Sequence, residues 1–287
     1  MADRAPLSVV VPTRNRPELL RRCLDALHAE LGPEDEVVVV DSASSPPVAV
    51  TSARLVRCER PGSSVARNAG WRAAASPYVA FVDDDVRVLP GWADALVAAF
   101  DRPVGFVAGA VGVPPEQEGA EQPVAVTTLT EPTALTPASR GTIGATANLA
   151  VRVDALREVG GFDERLGPGT WAHAAEDLDL LDRLFARGHC GWFEPAAAAV
   201  HDQWRRRPEL VGLQWGYGVG QGARLWLLVR AGSRARAGTV LHDAVWLGCV
   251  RDGIRALRDG YQLGALVCAV RLAGTAAGFV RAAVSWR

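Results

Sequence analysis

Three adjacent carboxylates, Asp83, Asp84 and Asp85, follow the apolar run Tyr78–Val82. That run has the length and β-branched/aromatic character of a strand covered on both faces. Like charges side by side at a strand end repel one another and require a positive neighbour. Two readings stay open: a solvated acidic turn, or a divalent-cation site. If the chain stays extended past Val82, Asp83 and Asp85 point to one side and Asp84 to the other. Two carboxylates on one face suit a hard cation such as Mg²⁺ or Mn²⁺ that keeps open positions for phosphate oxygens. Further candidates are Asp41, closing the apolar run Val37–Val40, the pair Glu176-Asp177, and His201 after Ala197–Val200. Taken alone, the pair reads as first-turn helix carboxylates and His201 as a structural histidine.

The elements that must hold these residues are legible in outline. Leu7–Val11 is a strand ending at Pro12, and Pro17 opens a helix carried by Leu19, Leu20, Cys23, Leu24 and Leu27. Glu36–Asp41 and, more weakly, Arg54–Arg57 are further strands, and Gly62-Ser63-Ser64 starts a helix that runs to Ala75. Strands alternating with helices in units of about 25 residues predict an α/β fold, its mostly parallel sheet flanked by helices. Ligands of such sheets bind at carboxyl ends of strands. Pro12–Asn15, Asp41 and Asp83–Asp85 all fall there. Beyond, a helix is expected after Trp92, a strand near Val104–Val111, and a long irregular stretch over 112–142 of the functional-loop kind. Asp154–Val159 and a strongly periodic stretch from Glu176 to Gly188 read as helices, the latter with an acidic first turn suited to the helix dipole.

Composition narrows the class. The chain has 287 residues, 49% of them hydrophobic, enough for a full core. Its basic residues are all arginine, which excludes Schiff-base and P-loop lysine chemistry. The five cysteines show no metal-ligand spacing and read as thiols of a reducing compartment. No signal-peptide core follows Met1, so a cytoplasmic location is expected. Residues 1–204 hold 18 arginines against 28 acids, and 205–287 hold 13 against 4, giving −10 and +9. The basic, apolar C-terminal part predicts a helical extension that meets an anionic membrane surface, peripherally on the inner face of the cell membrane. No nucleic-acid-binding pattern is present. Tyr261–Val280 is nearly long enough to span a bilayer, yet Arg271 at its middle would cost roughly 2.5–3.5 kcal/mol on the insertion scale. A helix lying on the membrane or packed on the domain is favoured over a span.

In order along the chain stand Val10-Val11-Pro12-Thr13-Arg14-Asn15, Val40-Asp41, Gly62–Gly70 with its Ala66-Arg67-Asn68 core, Phe81-Val82-Asp83-Asp84-Asp85, Gly160-Gly161-Phe162-Asp163-Glu164 and Glu176-Asp177-Leu178-Asp179-Leu180. Together these resemble family 2 glycosyltransferases of the GT-A fold, over roughly residues 6–204, with non-processive rhamnosyl- and galactofuranosyl-transferases the nearest type. The resemblance implies a catalytic domain over 1–204, its half 1–110 binding nucleotide and its half 111–204 holding acceptor and catalytic groups, followed by the extension 205–287. It implies inverting transfer of a sugar from a UDP- or dTDP-linked donor to a hydroxyl of a glycan, glycolipid or small molecule, with Mg²⁺ or Mn²⁺. Asp85 would be the metal ligand, joined by His201. Pro12, Thr13, Arg14 and Asp41 would hold the base, Asp41 by accepting the imide N–H. Asp83 would reach the ribose, with Asp84 in the same donor site but pointing elsewhere. Arg67 would neutralise Asp41 or a phosphate. Asp177, seconded by Glu176, would take the acceptor proton. Asn148 would lie beside the donor sugar, and Trp171 and His173 would touch the acceptor. The processive signature Gln-x-x-Arg-Trp is incomplete at Gln203–Arg207, where arginine stands in place of tryptophan. This favours a single addition. A nucleotidyltransferase or a non-catalytic nucleotide-sugar-binding protein of the same fold class is the alternative reading.

Overall fold

A computed structural model describes residues 4–117, 126–139, 146–202 and 207–286. The chain divides into two compact units. One comprises Met1–Phe162 and Leu180–Gln203, the other Asp163–Asp179 and Trp204–Arg287. The loop Asp163–Asp179 thus groups with the C-terminal helices and not with the sheet.

The first unit begins with β1 (Leu7–Thr13), α1 (Pro17–Glu30), β2 (Glu36–Ser42), β3 (Arg54–Cys58), α2 (Ser63–Ala73) and β4 (Tyr78–Phe81). It continues through β5 (Val86–Val88), α3 (Trp92–Ala98), β6 (Phe106–Gly112), β7 (Thr133–Leu135), β8 (Leu149–Arg152) and α4 (Val153–Val159). Helix α5 (Glu176–Ala186) carries the boundary between the units within its length, and β9 (Gly191–His201) follows it. The strands form one sheet in the order β3-β2-β1-β4-β8-β6-β9-β5, with β7 also on β9. Pairing is parallel from β3 to β4, and antiparallel where β8 meets β4 and β6. The sheet is therefore mixed, its parallel half being the βαβ part that the sequence pattern identifies. Two of its features were not foreseen. Gly191–Glu194 and Ala197–Val200, two strand-like runs in the sequence, are one strand opposite an irregularity in β6 at Gly109/Ala110. The irregular stretch 112–142 contributes β7; its residues 118–125 and 140–142 lie outside the described ones.

Side-chain alternation builds the core in two layers. Val9, Val11, Val37 and Val39 face α1 and α3, whose Leu20, Leu24, Leu27, Trp92 and Leu96 cover them. Val10, Val38, Val40 and Phe81 face the other way, toward Trp71 of α2, Leu156 of α4 and Leu180, Leu181 and Leu184 of α5. Register then sets the functional edge. Thr13 of β1 lies opposite Asp41 of β2, and Val10 lies opposite Phe81 of β4. The carboxyl ends of β1, β2 and β4 thereby open on the same edge, as the sequence predicts.

The second unit holds α6 (Arg207–Arg230), α7 (Arg234–Val240), a π-helical segment (Leu241–Arg251), α8 (Asp252–Arg258) and α9 (Gln262–Ser285). Its loop packs Leu166 and Ala172 against Ala223 of α6 and Ala282 of α9.

Candidate active site

Past β4 the chain turns instead of staying extended: Val82 N–H bonds to the Val10 carbonyl, and Val86 N–H bonds back to that of Asp83. This corrects the expected split of the three carboxylates. Asp83 accepts from Arg67 Nη2 at 2.7 Å, whereas Asp84 and Asp85 share Arg16, whose Nη1 lies 3.0 Å from one and 3.4 Å from the other. The compensating positive charge that three adjacent aspartates demand is therefore arginine from α1's entry and from α2. Asp84 is buried, its second oxygen accepting the Thr13 hydroxyl at 2.7 Å. Burial foremost, with Asp85 adding repulsion against the pull of Arg16, pushes its carboxyl up to about 6. Asp84 is bound into the protein's own loop through Thr13 and Arg16.

Antiparallel β5–β9 pairing places His201 opposite Val86, one residue beyond Asp85, and the Asp202 N–H bonds to the Asp85 carbonyl at 2.9 Å. His201 Nε2 thus lies 3.3 Å from Asp85 Oδ1, both side chains buried. Among the described residues no group of three or more His, Cys, Asp or Glu is arranged for a metal. The Asp85–His201 pair nevertheless fits one as a two-point hold, since neighbouring ligands about 2.1 Å from an octahedral ion lie about 3 Å apart. Next to it, Asp202 is buried and paired with Arg22 at 2.8 Å and Arg87 at 3.2 Å.

Asp41 is 1% exposed. Its Oδ1 accepts the Ser44 N–H at 2.8 Å, and its Oδ2 accepts the Val48 N–H at 3.1 Å and Arg57, its register partner on β3. Burial alone would raise this carboxyl, but the bonds from Ser44 and Val48 and the charge of Arg57 leave it below the ordinary range. Asp41 therefore organises the loop after β2, and the arginine beside it is Arg57, while Arg67 serves Asp83. Asn15, at a positive φ of 57°, ties the loop after β1 to this one. Its side-chain oxygen takes the Ser45 N–H at 2.8 Å, and its own N–H reaches Ser44 Oγ at 3.0 Å. Pro12 is half-buried and Arg14 exposed on that joined loop.

The Gly160–Glu164 and Gly62–Gly70 motifs meet through Asn68. Its side chain donates to the Phe162 carbonyl and accepts the Phe162 N–H, both at 2.9 Å. Gly161 has φ +78°, and a Cβ there would stand 2.5 Å from Asn68 Oδ1, so only glycine fits. Asn148 is likewise structural. It is 1% exposed, accepts the Trp92 indole N–H at 2.9 Å, and donates to the carbonyls of Ala110 at 2.9 Å and Ala197 at 2.8 Å. All three of its bonds knit α3, β6 and β9 together. Gly144 and Ala145 before it lie outside the described residues, as do Gln203–Arg206.

In the second unit, Glu176 is buried at the start of α5, and Asp177 is half-buried with Oδ1 accepting the Leu178 N–H at 2.8 Å. His173 is exposed at φ 63°, and Ala175 follows at φ 73°. Non-glycine residues are held at positive φ only where surroundings impose it, a recurrent property of functional loops. The Trp171 ring lies 5.0 Å from that of Trp286, tilted by 46°, with Arg281 4.6 Å above it. Arg16, Arg57 and Asp202 escaped the motif reading. Arg16, two residues after Arg14 and just before Pro17, gives the only sequence hint.

Glycosyl transferase family 2 matches residues 8–160, more than half of the chain, and the chain belongs to that family. It is 32% identical over 213 residues to the pre-mycofactocin glycosyltransferase of Mycobacterium tuberculosis, covering 68% of this chain and 42% of that protein. The chain thus spans about two fifths of that relative's length. Among solved structures, the mannosyltransferase PcManGT of Pyrobaculum calidifontis, in complex with GDP-Man and Mn²⁺, aligns with a TM-score of 0.59 at 20% identity, over 94% of this chain and 87% of that one. S. aureus TarS 1–349 in complex with UDP-GlcNAc aligns at 0.55 and 15% identity, over 93% and 90%. The fold is GT-A.

Proposed function

We propose that this protein is a metal-assisted, inverting glycosyltransferase that makes single additions from a UDP- or dTDP-linked sugar to a hydroxyl of a glycan, glycolipid or small molecule. The observation that carries the reading is the buried Asp85–His201 pair at the edge where β1, β2 and β4 end, beside the joined loops after β1 and β2. That the solved relatives hold GDP-Man with Mn²⁺ and UDP-GlcNAc supports a nucleotide-sugar donor and a divalent ion.

In this reading Asp85 and His201 would hold Mg²⁺ or Mn²⁺, the imidazole favouring Mn²⁺, which would supply positive charge toward the donor diphosphate. The residues of the chain do the rest. Pro12, Thr13 and Arg14 form the wall for the base on a loop that Asp41 and Asn15 keep rigid, and Asp83, oriented by Arg67, faces the ribose. Arg16 restrains Asp85 through Oδ2 while Oδ1 faces His201. Direct displacement needs a base on the face away from the diphosphate. Asp177, whose Oδ1 accepts the Leu178 N–H, takes the acceptor proton, with Glu176 beside it. His173 and Trp171 border the acceptor. The expected location is cytoplasmic.

The experiment is Asp177→Asn. Transfer from a UDP- or dTDP-sugar is expected to fall at least about a hundredfold, the scale of general-base removal, with donor binding unchanged. Near-normal transfer by the variant would refute the assignment.

A further inference from the structure

The helices of the second unit bury polar side chains beside their apolar core of Leu225, Leu228, Ala237 and Val240, and leave several large aliphatic ones exposed. On α6 the buried positions include Gln214, Gln221 and Arg224. Among the described residues, Gln214 Oε1 and Gln221 Nε2 have no hydrogen-bond partner in that interior. On α9 the buried positions include Gly274, Thr275 and Gly278, while Leu266, Val280 and Val284 are 50–62% exposed. The two helices meet at small residues. A Cβ on Gly222 would lie 2.0 Å from the Thr275 carbonyl oxygen, and one on Gly278 would lie 2.0 Å from that of Val219. Close crossings over small residues with polar groups inside and aliphatic groups outside belong to helices whose surroundings are lipid.

Charge points to the same partner. Trp246, Ile254 and Leu257 are 46–67% exposed along the π-helical segment and α8. On α8 and the turn before it, Arg251, Arg255 and Arg258 recur at helical spacing and are exposed beside Ile254 and Leu257. Residues 205–287 hold 13 arginines against 4 acids. An apolar face bordered by arginine is the combination that binds anionic bilayers through two signals at once.

α9 is long and apolar enough to cross a bilayer by length and composition. However, Arg271 stands at its middle, and its other face is closed on α6 through the glycines. We infer that the second unit docks on the interface of an anionic lipid bilayer, α9 lying in the membrane plane with Leu266, Val280 and Val284 in the acyl boundary and Arg251, Arg255 and Arg258 at the headgroups. The inference stands independently of the sugar-transfer reading.

The test is co-sedimentation of the full chain with vesicles of phosphatidylcholine alone and of phosphatidylcholine mixed with phosphatidylglycerol. The protein is expected to pellet with the mixed vesicles and to return to the supernatant in alkaline carbonate, as an in-plane protein does. Replacing Arg251, Arg255 and Arg258 by Gln should weaken partition about a hundredfold, from roughly 1 kcal/mol per charge near an anionic surface. Leu257→Ser with Leu266→Ser and Val280→Ser should weaken it at least about tenfold, the loss of three buried aliphatic groups. Leu55→Ser, on exposed β3, should change nothing. Equal behaviour of wild type with both vesicle types would overturn the proposal without recourse to any variant. So would retention in carbonate, which marks a span, or a stable dimer that vesicles do not dissociate, which marks the face as a self-association surface.

Discussion

Asn148→Leu is a substitution that separates the structural account of this site from the family-based one. Asn148 and Trp92 are both buried completely, and the substitution orphans the Trp92 indole N–H and removes one donor from each of the Ala110 and Ala197 carbonyls. An orphaned buried polar group costs about 1–3 kcal/mol. The indole bears that cost in full, while carbonyls with a second lone pair lose less, so a sum near 3–5 kcal/mol is expected. At about 2–4 °C per kcal/mol for a domain of this size, the melting temperature should fall by roughly 10 °C. Thermal and urea melts followed by circular dichroism measure this, with donor affinity measured calorimetrically below the transition. Trp92→Phe removes the same N–H, so the double variant should fall short of additivity by about 1–2 kcal/mol. If Asn148→Leu melts within about 2 °C of wild type while donor affinity collapses, Asn148 touches the sugar and the reasoning fails.

Other outcomes follow from the same contacts. Asp41 has its carboxyl held below the ordinary range, so its contribution to stability is present above about pH 3.8 and is lost as pH falls through the native value. Asp41→Asn should therefore melt lower than wild type at pH 7, with the gap closing below pH 4, as melts across that range will show. Arg16→Gln leaves two buried carboxylates without their shared cation. The expected loss in chelator is about 1–2 kcal/mol, discounted because the Arg16 side chain is 35% exposed; adding Asp84→Asn should recover part of it. Gly161→Ala places a methyl group on Asn68 at φ +78° and should cost about 2 kcal/mol or more in urea unfolding. A cost under about 0.5 kcal/mol would show that the two motifs do not depend on each other.

Much of this architecture was legible because period-2 and period-3.6 patterns are local. Val9/Val11 against Val10, and Leu20/Leu24/Leu27 along α1, announce their layers before any contact is known. The convergence of Pro12–Asn15, Asp41 and Asp83–Asp85 also follows from topology alone, since parallel strands put their carboxyl ends together. What stayed hidden depends on register and turn geometry. That Asp41 would find Arg57 and not Arg67 is decided by which β3 residue lies opposite it. The turn at Asp83–Val86 reverses the alternation an extended chain would give, and so assigns Asp84 and Asp85 jointly to Arg16. Asn148 looks the same in sequence whether it faces a sugar or two carbonyls. The C-terminal helices were legible as arginine-studded and apolar, but not that α6 turns its glutamines inward, which only the packing of Gly222 and Gly278 reveals.

The central claim, a divalent ion held by Asp85 and His201 for a nucleoside diphosphate, is tested most directly by calorimetric titration of UDP and dTDP into the protein with Mn²⁺ and then with excess chelator. One of the two nucleotides should bind at least about tenfold more tightly with Mn²⁺, and Asp85→Asn with Mn²⁺ should match wild type in chelator. Equal affinity in Mn²⁺ and in chelator, with Asp85→Asn indistinguishable from wild type, would contradict it.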